Sequence, residues 1–199
     1  MTQPNSPEHS ANVIVDQTRH VLRKELLTRR RQTPAEVRQQ WDQLLMSGVL
    51  AWCRQHQPRS VGVYWPIHAE PDLRACYSPM TQMGIQLALP WVVEKNMPLR
   101  FLAWQEGDVM ARDDYGIPLP AQREHLIVPD VLLIPCVGFS EGGYRLGYGG
   151  GYYDRTLALH LRCHAVGIAY QFALTEFNRG LHDRRLHEIL TEQAHFKFV

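Results

Sequence analysis

Apolar positions recur at helical spacing along the first quarter of the chain and then give way to short unbroken apolar runs. Over residues 16–31, Val21, Leu22 and Leu26 mark a mixed apolar face, which predicts a first helix. Thr33-Pro34-Ala35-Glu36 reads as a helix start, with Thr33 as cap, Pro34 in the first turn and Glu36 completing a capping box. The second helix is predicted to run to about Gln55 and to bury Val37, Trp41, Leu44, Leu45 and Val49. Strands are predicted at 60–65 (ended by Pro66), 85–89 (ended by Pro90), 100–104, 131–135 and 165–170, with a short closing strand at 195–199. The strand at 100–104 reads as an antiparallel or edge member. Between the strands lie a helix beginning near Pro71 and another over 156–161. The Pro- and Gly-rich stretch 113–124 reads as a loop over the sheet, and 177–191 as irregular. Strands alternating with helices predict an α/β fold with a mostly parallel, Rossmann-like open sheet.

Composition narrows this picture. A chain of 199 residues with 45% hydrophobic and 21% charged residues fits one globular domain over 16–199, with 1–15 as a loose, disordered lead. A net charge of +1 speaks against a nucleic-acid binder that relies on bulk charge. Cys53, Cys76, Cys136 and Cys163 form no CxxC pair and read as reduced thiols, which with the lack of an apolar leader points to the cytoplasm. No apolar run approaches the roughly 20 residues of a membrane span. Arg29-Arg30-Arg31 reads as a solvated basic face. His160 and His164 lack a third ligand and read as helix-end residues.

The stretch with most chemical content is Arg145-Leu-Gly-Tyr-Gly-Gly-Gly-Tyr-Tyr-Asp-Arg155, placed between a strand and a helix. Glycines let backbone N–H groups approach an anion, and a helix N-terminus adds partial positive charge. Arg145 places a fork-shaped cation at one lip of the turn and Asp154 a metal-capable carboxylate at the other. On the first helix, Arg19 and Arg23 are one turn apart and point the same way. Tyr64, Trp65 and Glu70 follow a strand, where ligands collect in open α/β sheets. On spacing, Glu70 also reads as a carboxylate favouring the N-terminus of the next helix. No Walker lysine, Gly-x-Ser-x-Gly elbow or HExxH is present.

Together these residues resemble the 5-formyltetrahydrofolate cyclo-ligase family: the basic pair Arg19 and Arg23, the segment from Tyr64 to Glu70, Gly116-Ile117-Pro118, and above all the Arg145–Arg155 stretch. The resemblance implies an enzyme that uses ATP and Mg²⁺ to convert 5-formyltetrahydrofolate to 5,10-methenyltetrahydrofolate, through phosphorylation of the formyl oxygen and ring closure by N10. It places ATP on Arg19, Arg23, Arg145, Leu146, Gly147, Tyr148, Gly149, Gly150, Gly151, Tyr152 and Tyr153, with Arg145 and Tyr153 catalytic. It places the folate on Trp65, Glu70 and Tyr152, and the metal on Asp154 with Asp183. With the alternation of strands and helices, the resemblance implies a three-layer α/β/α sandwich; small-molecule substrates, no membrane, no nucleic acid and a monomer are expected. The chain departs from the family where Arg19 replaces a usual lysine, Ser140 a frequent aspartate and Leu119 a common glutamate. Two other readings of the same residues are an enzyme acting on a sugar phosphate or another acyl acceptor, and a catalytically weakened relative that binds nucleotide or RNA.

Overall fold

The computed structural model describes residues 7–198, with side chains from Gln17 onward. Helices α1 (Pro7–Gln32) and α2 (Ala35–His56) open the chain. Residues 1–6 of the expected lead lie outside the described residues, and from Pro7 the backbone is already helical. Thr33 does not cap α2: its hydroxyl donates to the Arg29 carbonyl at 2.9 Å and so closes α1. Pro34 stands at the N-cap of α2 without a side-chain bond. Leu45, Val49, Trp52 and Cys53 form the buried stripe of α2, and Leu44 points out at 56% exposure.

The central sheet runs β12-β11-β10-β7-β1-β2-β3-β6. Its parallel core is β11 (Glu188–Leu190), β10 (His164–Ile168), β7 (Val131–Pro135), β1 (Ser60–Gly62) and β2 (Gln86–Trp91). Antiparallel members are β12 (His195–Lys197), β3 (Arg100–Trp104) and the two-residue β6 (Leu126–Ile127). Two small hairpins pair β4 (Met110–Arg112) with β5 (Pro118–Pro120), and β8 (Gly138–Phe139) with β9 (Arg145–Leu146). The expected loop at 113–124 thus contains a strand, and Leu119 fills the core at 0% exposure.

Both proline stops act differently from the expectation. In the parallel ladder Val63 N donates to the Ala88 carbonyl at 2.8 Å, and the next donor toward β1 would be residue 90. Proline has no N–H to give. The β1 side therefore ends early, while β2 continues through Pro90 against Phe101 of β3.

Alternate residues of the strands face two apolar layers. Val61, Leu87, Leu89, Leu133, Val166 and Ile168 pack under α2 and α3 (Arg74–Gln82), and Ala88, Leu132, Ile134, Ala165 and Ile189 pack with Leu157 of α4 (Tyr152–Leu159) on the other face. This is the expected three-layer α/β sandwich. Its packing leaves no room at Gly167 of β10, where an added Cβ would lie 2.6 Å from Leu186 and 2.9 Å from Ile189. Gly167→Ala is expected to lower stability by about 1–3 kcal/mol, read from the urea midpoint.

At the N-terminal ends of β10 and β11, Glu188 is buried and takes Nε2 of His164 at 2.7 Å, Nε2 of His195, and the Trp52 indole N–H at 3.0 Å. An ionised carboxylate only accepts, so both imidazoles donate. Burial raises the Glu188 carboxyl, and the bonds from His164, Trp52 and His195 outweigh it, leaving the group below its ordinary 4.5. The stability this carries is present above 4.5 and is lost as pH falls through the folded value. Glu188→Gln presents an amide N–H₂ where a carboxylate oxygen accepted, leaving buried donors unmet. It is expected to cost about 1–3 kcal/mol and to flatten the acid limb of a stability–pH curve. His164 is therefore a strand residue in a structural cage, and among the described residues no three or more His, Cys, Asp or Glu side chains cluster as a metal site.

Candidate active site

Four segments meet beyond the C-terminal ends of the parallel strands. The first is the face of α1. Arg19, Arg23 and Arg30 are four and then seven positions apart, which at 3.6 residues per turn keeps them on one side. Arg19 is buried and grips Asp183 through both terminal nitrogens, at 2.9 and 3.3 Å. Arg23 donates through Nε to the Gly147 carbonyl at 2.8 Å. Arg30 overturns the reading of 29–31 as a solvated run. It is 1% exposed, and its guanidinium donates to the Tyr148 hydroxyl at 3.0 Å and to the Cys136 carbonyl. Arg29 lies over the Phe172 ring, its guanidinium carbon 4.8 Å from the centroid.

The second segment follows β1. His68 and Ala69 both adopt left-handed backbone, φ 50° and 57°. Such residues cost about 1–2 kcal/mol each when not glycine, and strain of this kind collects at functional sites. Here the turn folds Glu70 back so that its carboxylate accepts from Ile67 N at 2.8 Å and from the Tyr148 hydroxyl at 2.7 Å. Glu70 does not serve the following helix; Asp72 does, accepting from Arg74 N at 3.1 Å. Burial pushes the Glu70 carboxyl up, opposed by the Ile67 and Tyr148 bonds and by the Arg30 charge. Trp65 stands edge-on to Trp104 at 6.1 Å, with the Arg74 guanidinium over its ring. Among the described residues no hydrogen bond or ring contact joins Trp65 to Glu70 or Tyr152.

The third segment is the glycine stretch. The β8–β9 hairpin delivers Arg145, and Ser140 is buried in its turn, its N–H on the Tyr144 carbonyl at 3.0 Å. Gly149 and Gly151 take φ 98° and 65°, conformations that bend the chain into the start of α4. The helix begins at Tyr152, earlier than the expected 156, and Gly151 caps it without a side-chain bond. Its first backbone bond is Arg155 N to the Gly151 carbonyl, so the N–H groups ahead of Arg155 face outward from an uncapped N-terminus. Burial, with Glu70 nearby, pushes the Tyr153 hydroxyl up, against the pull of Arg145, so it stays a neutral phenol. Tyr152 meets the Tyr115 hydroxyl at 2.9 Å, bringing the 113–117 loop to the rim.

The fourth segment, 180–184, clamps the third. Arg145 is 5% exposed, paired with Asp154 at 2.8 Å and donating to the Arg184 carbonyl at 3.1 Å. Arg184 N in turn donates to the same Asp154 oxygen at 3.0 Å. Asp183 is held by Arg19 and by Gly180 N at 2.9 Å.

A family model described as the 5-formyltetrahydrofolate cyclo-ligase family matches residues 15–192. The chain belongs to that family. Among its relatives, a 5-formyltetrahydrofolate cyclo-ligase of Mycolicibacterium smegmatis is 30% identical over 190 residues, covering 85% of this chain and 91% of the relative. One from Escherichia coli K12 is 28% identical over 155 residues, 74% and 85% of the two chains. Solved 5,10-methenyltetrahydrofolate synthetases share the fold. That of Aquifex aeolicus superimposes with a TM-score of 0.77 at 27% identity, covering 90% of this chain and 92% of the other. That of Mycoplasma pneumoniae gives 0.73 at 26%, covering 87% and 98%. As a cyclo-ligase family member the protein is an enzyme, a ligase. No helix among the described residues is long and apolar enough to cross a membrane.

The structure brings together the candidate site residues read from the sequence, Trp65 excepted. Arg19, Arg23, Arg145, Asp154, Asp183 and the turn meet through the bonds above; Glu70 joins them through Tyr148; Trp65 stands apart with Trp104 and Arg74. The sequence reading puts Arg30 in a solvated run and gives Tyr115 and the His68–Ala69 turn no role. Only Arg30 left a signal: it continues the face of Arg19 and Arg23.

Proposed function

We propose that this cyclo-ligase converts 5-formyltetrahydrofolate to 5,10-methenyltetrahydrofolate at the expense of ATP. The observation that carries the reading is the uncapped N-terminus of α4 beside the buried Arg145, with Arg23 bound across the glycine turn. Outward N–H groups and guanidinium forks are suited to phosphate oxygens, and ATP is assigned to them. The formyl oxygen attacks the γ-phosphorus and ADP leaves. N10 then attacks the activated carbon, the N10 proton departs, and the C–O bond breaks to release phosphate. Each step needs positioning and charge neutralisation more than covalent help from the protein. Arg145 and Arg23 supply the positive charge, and Tyr153 a neutral hydroxyl donor. Glu70 accepts from the pterin N–H groups, and Trp65 and Tyr152 offer flat apolar surface.

Mg²⁺ fits Asp154 better than Asp183. Both Asp154 bonds fall on Oδ1, and no hydrogen bond to Oδ2 is present among the described residues, whereas both Asp183 oxygens are engaged by Arg19 or Gly180. When bound, the ion neutralises phosphate charge. The RNA-binding alternative rests on Arg29, Arg30 and Arg31, and burial of Arg30 removes one of those cations. The test is the absorbance band of methenyl-folate with purified protein, 5-formyltetrahydrofolate, Mg²⁺ and ATP. A rise that requires ATP is expected; no rise from folded protein overturns the proposal.

A further inference from the structure

Arg30 is a buried cation, and among the described residues no carboxylate lies within ion-pair distance of it. Taking a guanidinium out of water costs several kcal/mol unless a counter-charge and hydrogen bonds offset it. The counter-charge stands one hydroxyl away. Arg30 donates to Tyr148 Oη at 3.0 Å, and that hydroxyl donates to Glu70 Oε1 at 2.7 Å. The second Arg30 nitrogen is fixed on the Cys136 carbonyl at the end of β7. The cation is thus anchored to the sheet and aims the phenol. A phenol that accepts from a cation is a stronger donor to the carboxylate beyond it. Two-fifths of Tyr148 is exposed and its ring lies 5.7 Å from His68, while its hydroxyl reaches the buried Arg30 and Glu70.

We propose that Arg30 and Tyr148 are positioning residues for the ligase reaction: through the Tyr148 hydroxyl, Arg30 holds Glu70 as an oriented carboxylate ready to accept from the folate. This rests on the assignment of Glu70 to the folate. Since Tyr148 belongs to the glycine turn, the same bond ties that turn to the folate side of the site. The groups facing Glu70 are Arg30 from α1, Tyr148 from the turn, Tyr64 after β1, Cys136 after β7 and Tyr153 from α4. Burial raises Tyr64, Cys136 and Tyr153, so they stay neutral, and Arg30 is the charge in the set that opposes burial of the carboxylate.

Tyr148→Phe removes the hydroxyl and keeps the ring. With one downward pull gone, the Glu70 carboxyl moves further up, and the acid limb of kcat/KM for 5-formyltetrahydrofolate moves up with it. The expected shift is about one pH unit, with folate KM rising more than kcat falls. Arg30→Lys keeps the charge but reaches Tyr148 and Cys136 less well, and is expected to shift the limb by less than Arg30→Met. The experiment titrates the ¹³C-labelled Glu70 carboxyl by NMR in wild type and Tyr148→Phe, beside the pH–rate profiles of the full chain. A raised titration midpoint with a matching limb supports the proposal. An unchanged Glu70 midpoint in Tyr148→Phe overturns the relay. A moved midpoint with an unmoved limb overturns the claim by way of its premise, showing that Glu70 does not meet the folate.

Discussion

Arg145→Ala is expected to lower kcat/KM for ATP by about 10²–10³-fold, the scale lost when one preorganised donor to developing phosphoryl or oxyanion charge is removed. Two consequences separate in that variant. The transferring phosphate loses a fork-shaped cation, and Asp154 loses the partner 2.8 Å away that offsets its charge. Stability is expected to fall too, since removing one member of a largely buried pair leaves the other uncompensated. Adding Asp154→Ala isolates the stability part: the urea midpoint recovers toward wild type, while turnover stays low because Asp154 is also the proposed Mg²⁺ ligand. Arg145→Lys keeps charge, but a single ammonium cannot serve both the Asp154 carboxylate and the Arg184 carbonyl. Partial activity is expected there. Turnover near wild type in Arg145→Ala would remove the phosphate assignment.

Glu70→Gln is expected to raise KM for 5-formyltetrahydrofolate by about 10–100-fold, the equivalent of losing charge-assisted bonds worth 1.5–3 kcal/mol. An amide offers one oxygen where the carboxylate offers two. Either its N–H₂ faces Ile67 N, donor against donor, or it faces Tyr148, which already accepts from Arg30. Steady-state constants for both substrates decide the matter. A raised folate constant with little change for ATP is the expected pattern, and the reverse would overturn the role of Glu70.

Much of the architecture is legible in the chain because apolar runs are local signals. β7 and β3 fall at 131–135 and 100–104 as the runs Val-Leu-Leu-Ile-Pro and Arg-Phe-Leu-Ala-Trp place them. The alternating order of strands and helices, together with the family resemblance, gives the sandwich. Boundaries fail where a distant partner decides them. Pro90 stops a ladder to Val63, which no pattern within 85–89 could reveal, and Thr33 serves the helix before it because the Arg29 carbonyl is in reach. In the site, Arg145 through Asp154 is readable since the residues are contiguous. Arg30 is not, because a run of three arginines is normally solvated and its burial depends on Tyr148 and Cys136, more than 100 residues away. The strained turn before Glu70 is equally silent: neither His68 nor Ala69 is glycine.

The arginines of α1 also set an order of events during synthesis. Their partners are separated from them by 118 residues for Tyr148, 124 for Gly147 and 164 for Asp183. The first helix leaves the ribosome long before anything exists for it to grip, and at about 5–20 residues per second it waits roughly 8–33 seconds for residue 183. During that interval three guanidinium groups and the Leu26 stripe remain in water. The strands from β1 to β10 pair over shorter separations, so that part of the sheet can form while the reaction centre is still open, and β11 and β12 follow Asp183. A nascent chain arrested before Asp183 would therefore be folded in its middle and inert, and ligand binding would appear only with the last few turns of the translating ribosome.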